Sequence, residues 1–250
     1  MRSFRVVALA LFAASASPAH AVDLIVSAAA SLTNAFKDLG PMFEDANPGT
    51  KLLFNFGASG ALLQQIAKGG APVDVFASAD QETMDQAQGQ ALVRPAQRRN
   101  FASNTLVVIV PATATDPPKA VSELTQPRYR RIAIGLPASV PVGRYTKAAL
   151  EHAKLWAAVE PKAIYGTSVR QCLDYVARAE VDAGFVYATD AAVMSEKVKV
   201  SLAVATPLPI LYPIAVIAAG PQAALGRQFA DYVHSPAGQT ILAKYGFGRP

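Results

Sequence analysis

Charge is scarce in this chain: Asp, Glu, Lys and Arg make up 16% of its 250 residues, against roughly a quarter in an ordinary soluble domain. Its 23 basic and 18 acidic residues leave a net charge of +5, too little to recommend a polyanionic partner. The basic clusters at residues 94–99 and 128–131 lack interleaved stacking aromatics beyond Tyr129, so no nucleic-acid partner is expected. Cysteine is nearly absent. Cys172 stands alone and can form no internal disulfide, which excludes a stapled scaffold. On the apolar side of a helical pattern it reads as a buried, inert thiol. Three histidines without an H-E-x-x-H spacing provide no protein-ligated metal. No G-x-x-x-x-G-K-[ST] loop and no G-x-G-x-x-G occurs, so nucleotide chemistry and a bound cofactor lack support. Gly57-Ala58-Ser59-Gly60-Ala61 misses the nucleophile elbow because residue 61 is Ala. His152 and His234 read as surface residues rather than bases, and the chain is not expected to be an enzyme. A secreted serine hydrolase using Ser59 is the alternative of a different class.

Long apolar runs are missing as well. Residues 208–225 come closest, but Pro209, Pro213 and Pro221 interrupt them, which argues against a membrane-spanning helix. The N-terminus is different. Arg2 and Arg5 precede an apolar stretch at residues 6–16, and Ala19-His20-Ala21 supplies a small-residue exit. These are the parts of a secretion signal over residues 1–21. Removing 21 residues from 250 leaves 229, and losing Arg2 and Arg5 takes the net charge from +5 to +3. With no Cys after the cleavage point, no lipid anchor is expected. A chain of this length can build one large domain or two lobes, each with a core.

The remaining sequence alternates short β-type runs with helical patterns. Strands are predicted at 24–26, 52–56, 73–77, 105–110, 132–134, 163–165, 184–187, 198–204 and 212–218. Between them, apolar residues recur at helical spacing, as in Leu32, Ala35, Phe36 and Leu39, and in Val169, Cys172, Leu173 and Val176. A single helix after Pro141 is predicted to run on to Leu155-Trp156, with His152 inside it. Such alternation predicts largely parallel α/β sheets with right-handed crossovers. The segments 105–110 and 212–218 bracket a middle block, which suggests two α/β lobes around a cleft: residues 22–107 with 213–250, and residues 108–212.

Ligands of open α/β sheets bind beyond the strand ends, where helix N-termini present free N–H groups and partial positive charge. Four strand-to-helix junctions share small or hydroxyl residues without charge: Ala28-Ala29-Ala30-Ser31, Gly57-Ala58-Ser59-Gly60, Val140-Pro141-Val142-Gly143 and Gly166-Thr167-Ser168-Val169. Neutral donors aimed at one point would hold an oxyanion. Each junction also has an ordinary reading: Ser31 and Ser59 as N-caps, Val142 and Val169 as core residues, Tyr187 as a half-buried packing residue.

Several of these segments carry a family resemblance. Ala29-Ala30-Ser31-Leu32-Thr33 and Asp74-Val75-Phe76-Ala77-Ser78-Ala79-Asp80 are the more specific motifs. Val140-Pro141-Val142-Gly143-Arg144-Tyr145, Gly184-Phe185-Val186-Tyr187-Ala188-Thr189-Asp190 and Tyr245-Gly246-Phe247 support them. Together they resemble the periplasmic molybdate-binding proteins of ABC transporters along essentially the whole mature chain. The resemblance implies a type 2 periplasmic binding protein, with two lobes of mainly parallel sheet flanked by helices and joined by two hinge strands. It implies capture of molybdate or tungstate in the cleft, delivery to an inner-membrane permease, a monomer and a periplasmic location. The implied ligand contacts are the hydroxyl and N–H of Ser31 and Ser59, the N–H of Val142 and Val169, and the phenol of Tyr187. The metal would be held only through its oxygens, with no direct protein–metal bond. A same-fold protein for sulfate, phosphate or a small organic acid is the alternative. Arg144 and Arg170, each near a proposed donor, would serve such a ligand; otherwise they are expected at the cleft rim or in solvent.

Overall fold

The computed structural model describes residues 21–70 and 72–250. The expected secretion signal at 1–21 lies outside them, apart from Ala21. The chain begins with β1 (Val22–Ala29), α1 (Thr33–Ala46), β2 (Thr50–Gly57), α2 (Ser59–Gly69), β3 (Val75–Ala77), α3 (Gln81–Gly89) and β4 (Arg99–Asn104). It continues through β5 (Leu106–Pro111), β6 (Ile132–Gly135), α4 (Pro141–His152), α5 (Trp156–Val159), β7 (Ala163–Gly166), α6 (Val169–Ala177), β8 (Ala183–Tyr187), α7 (Ala188–Val193) and β9 (Val198–Val204). It then returns by β10 (Ile210–Val216), α8 (Ala223–His234) and α9 (Pro236–Lys244).

These strands form two five-stranded sheets, ordered β2-β1-β3-β10-β4 and β7-β6-β8-β5-β9. In each, three strands are parallel, and the fourth in spatial order runs antiparallel to both its neighbours. Four of five strands therefore share a direction, and the sheets are mixed. The reversed strand is in both cases the one that has just crossed from the other sheet. The crossings lie at Thr105, between β4 and β5, and at residues 205–209, between β9 and β10. Leu106 and Val107 thus pair in the second sheet, and Ile210 to Tyr212 in the first. The expected boundaries at 107/108 and 212/213 shift accordingly, because each run of strand residues straddles the point where its partner changes.

Register sets the functional edge. β1 pairs β2 with Ala29 beside Gly57, and β6 pairs β7 with Gly135 beside Gly166. Neighbouring parallel strands end level, so their following turns open side by side. The first sheet buries a phenylalanine cluster: Phe229 meets Phe43 and Phe36 edge-on at ring-centroid distances of 5.3 and 5.8 Å. Such pairs contribute about 0.5–1.5 kcal/mol each beyond their burial. The second lobe packs mainly aliphatic residues, among them Ile109, Ile132, Ile134, Leu150, Leu173 and Val176.

Three local findings depart from the sequence pattern. The helix after Pro141 stops at His152, and Lys154 takes a left-handed backbone at φ 57°, so Trp156 starts a separate short helix. His152 is therefore terminal rather than internal. β4 and α3 were absent from the periodicity: β4 buries only Phe101 and Ala102 of six residues, and α3 only Thr83, Met84 and Ala87.

Candidate ligand-binding site

The four small-residue junctions meet. Ala29, Ala30 and Ser31 from the end of β1, Gly57, Ala58 and Ser59 from the end of β2, Val140, Pro141 and Val142 before and at the start of α4, and Val169 at the start of α6 line one cavity, with Ala79 and Tyr187 completing the wall. Its volume is about 10 Å³, the scale of one water or one compact ion. Among the described residues, no Asp, Glu, Lys, Arg or His lines it. Ser31, Ser59, Val142, Val169 and Tyr187 are all buried.

The elements explain the donors. Val142 follows Pro141 as the second residue of α4, Val169 is the first of α6, and Ser59 is the first of α2. N–H groups at these positions have no intrahelical acceptor. Ser31 lies in a 3-10 turn leading into α1. The N-cap readings of Ser31 and Ser59 are therefore corrected: Ala58 caps α2, Ala29 precedes the 3-10 turn, Leu32 caps α1, and none of the three caps by side chain. Neither hydroxyl is taken up by its own helix. Ser168 does cap α6, accepting from Gln171 N–H at 3.2 Å. This cap fixes the start of α6, where Val169 lines the cavity.

Hydrogen-bond polarity turns both serine hydroxyls into donors. Ala79 N–H donates to Ser59 Oγ at 3.0 Å, so the serine's own hydrogen remains for the cavity. On the other wall, Asn104 Oδ1 accepts from Thr105 N–H at 2.9 Å. This orients the amide so that Nδ2 donates to Thr189 Oγ1 at 2.9 Å and to Tyr212 Oη at 3.2 Å. An amide nitrogen only donates, which leaves the Tyr212 proton for Ser31 Oγ, 3.0 Å away. Ser31 thus accepts from Tyr212 and presents its own hydrogen to the cavity. Tyr187 Oη is wholly buried and has no hydrogen-bond partner among the described residues. Burial, followed by the neighbouring tyrosines Tyr212 and Tyr145, pushes its phenol well above the ordinary range. It stays protonated and can donate. An unpartnered buried hydroxyl is costly, and here it borders the cavity.

The two arginines stand outside the cavity, between the lobes, each engaged by groups of both rather than left to solvent. Arg144 Nε donates to Asp80 Oδ2 at 2.7 Å and its Nη2 to Thr83 Oγ1 at 2.7 Å, reaching from α4 to the start of α3. Arg170 Nη1 donates to Asn34 Oδ1 at 2.9 Å, and Nη2 to Ser31 O at 3.4 Å. Its Nε lies 2.6 Å from Asp190 Oδ1, a charge contact off the hydrogen-bond axis. Burial raises the Asp190 carboxyl to about 6, against the opposing pull of Arg170. Both guanidiniums are committed to protein groups and neither lines the cavity.

Asn104, Tyr212, Ala79 and the arginine partners were not foreseen. Their partners lie up to 181 positions away, and no local pattern marks them. The other candidates stay outside. His234 ends α8 with both ring nitrogens on backbone carbonyls, of Ala230 and Asn100. Cys172 is buried, and burial pushes its thiol up to about 12. Among the described residues no His, Cys, Asp and Glu group could hold a metal ion, and no helix is long and apolar enough to cross a membrane.

Comparison with known proteins adds an independent line. Residues 24–248 match the family model described as bacterial extracellular solute-binding protein. Over 234 residues the chain is 36% identical to the molybdate-binding protein ModA of Escherichia coli, covering 90% of this chain and 88% of that one. It is 34% identical over 228 residues to a putative ABC transporter substrate-binding lipoprotein, YvgL, of Bacillus subtilis, covering 90% and 86%. The periplasmic molybdate-binding protein of Azotobacter vinelandii superimposes with a TM-score of 0.76 at 25% identity, over 91% of this chain and 99% of the other.

Proposed function

The chain belongs to the bacterial extracellular solute-binding proteins, and we propose that it is the substrate-binding component of an ABC importer, capturing molybdate between its two lobes. This is a family of transport proteins rather than of enzymes. The observation that carries the reading is the cavity wall: first-turn residues of α2, α4 and α6 line it together with Ser31 and Tyr187, and none of its lining residues carries a formal charge. Seven donors would hold the ion in this reading: the N–H and hydroxyl of Ser31 and of Ser59, the N–H of Val142 and of Val169, and the Tyr187 phenol. A tetrahedral dianion offers oxygens to both walls at once. Each helix N-terminus adds about 0.3–1 kcal/mol, more when buried, and excluding water strengthens every bond.

Four of these donors are backbone N–H groups, which cannot accept, so the set suits an oxyanion with no proton left. A protonated anion offers one acceptor fewer to these N–H groups and must turn a hydroxyl from donor to acceptor, and each donor so left unpaired costs about 1–3 kcal/mol. Tungstate, with the same shape and charge, binds equally in this scheme. Sulfate is disfavoured because a smaller ion cannot span both walls. An organic acid loses its natural partner, since Arg144 and Arg170 already hold Asp80 and Asp190. We further assign residues 1–21 as a cleaved signal that delivers a monomer to the periplasm, where the closed lobes hand the ion to a membrane permease.

The test is calorimetric titration of the mature protein with molybdate, tungstate, sulfate and phosphate, alongside thermal melts. One-site binding of molybdate and tungstate, with a melting temperature that rises with their concentration, is expected. A protein indifferent to all four anions ends this reading.

A further inference from the structure

Gly60, the second residue of α2, sits next to Ser59 but faces the other lobe. Its N–H donates to Ser139 O at 3.0 Å, and Ser139 belongs to the turn between β6 and α4. One N–H of the α2 terminus is thus directed at protein across the cleft. A Cβ on Gly60 would stand 2.6 Å from Ser139 O, 2.9 Å from its Cα and 3.1 Å from its carbonyl carbon. All three are backbone atoms of the opposite lobe, which cannot rotate out of the way. The residue's own helix does not explain the glycine. Gly60 has no left-handed backbone, and an α-helix favours Ala over Gly. The lack of a side chain is required only where the lobes touch.

Two further contacts flank this one, and both cross between lobes through protein atoms alone. Arg144 reaches Asp80 and Thr83, and Arg170 reaches Asn34 and Ser31 O. Both arginines come from the first turns of α4 and α6, which carry the N–H donors of Val142 and Val169. Each clasp therefore ties a donor-bearing helix of the second lobe to the first.

We propose that Gly60 is a positioning residue: its contact with Ser139 sets how closely the two donor walls approach, with Arg144 and Arg170 holding the flanks. This rests on the cavity being the oxyanion site. The walls enclose a space of about 10 Å³, so even a small displacement takes donors of one wall out of hydrogen-bond range. Gly60 is then as necessary for tight binding as the donors, although it touches no ligand.

The experiment uses the mature chain and its Gly60→Ala variant, with molybdate as the probe. Melting without ligand should be unchanged or slightly higher in the variant, since Ala suits the helix. Molybdate affinity should fall at least tenfold, chiefly through faster dissociation in stopped-flow, with Tyr187, Tyr145 and Tyr212 as intrinsic reporters. Small-angle scattering at saturating molybdate should show the variant more expanded than the wild type. A variant that binds within twofold of wild type overturns the proposal. So does a ligand-free melting temperature lowered by several degrees, which would mean that Gly60 serves its own lobe. If the wild type itself fails to bind molybdate, the functional reading falls instead, and ligand-free scattering of the two proteins still judges the contact: equal dimensions overturn it.

Discussion

The two lobes share a strand order, a reversed strand in the same place and a pair of donor-bearing helix starts, yet they present different chemistry. The first offers two serine hydroxyls, each made a donor by a neighbouring group: Ala79 N–H for Ser59, Tyr212 for Ser31. The second offers valine backbone N–H groups and one phenol without a hydrogen-bond partner among the described residues. Topology decides where the donors stand, because level strand ends place helix starts together. Side chains decide how each donor is oriented. A hydroxyl needs a partner to aim it, whereas a helix aims its own N–H.

That contrast can be broken at single atoms. Tyr187→Phe and Ser31→Ala should each weaken molybdate binding by about 1–3 kcal/mol in calorimetry. They should differ without ligand: removing the unpartnered Tyr187 hydroxyl leaves the melting temperature intact, while Ser31→Ala strips Tyr212 of its acceptor and lowers it. Equal melting behaviour would contradict the polarity argued for the first wall. Val142→Ala should do the reverse of Tyr187→Phe. Its side chain is fully buried, so stability should drop by about 1–2 kcal/mol on denaturant titration, and affinity should hold because the backbone is the donor.

Smaller effects sharpen the picture. Asp190 has a folded-state pKa of about 6, above its unfolded value, so the folded state holds the extra proton. Its favourable contribution is complete below about pH 4 and is lost as pH rises through 6. From pH 7 to 5 the wild type should gain roughly 1 kcal/mol relative to Asp190→Asn in unfolding experiments. Identical pH slopes would remove Asp190 as the titrating group. Least in energy but simplest to read, Cys172 should resist thiol reagents at pH 8 in the native protein and react fully in denaturant, since burial keeps it protonated.

Much of this site is local and therefore readable along the chain. Small uncharged turns after strands, Pro141 at a first helical position and Ser168 as a cap each act within a few residues. The strands were legible where apolar residues run together, and β4 was missed because its Arg99, Asn100, Ser103 and Asn104 look like loop. The partners of the two arginines were hidden for a different reason. Arg144 and Arg170 each reach across to the other lobe, to Asp80 and Thr83 and to Asn34, and no short stretch of sequence shows such a pairing.

The amino-acid order alone determined the alternation of strands and helices, the uncharged turns and hence the kind of ligand that could be held. Those depend on spacing and residue type over a few positions. The three-dimensional fold decided that four turns face one point, that Tyr212 and Asn104 direct the Ser31 proton, and that Gly60 meets Ser139. Such contacts join residues tens to nearly two hundred positions apart, and they arise from how sheets and lobes pack, which no short stretch of sequence encodes.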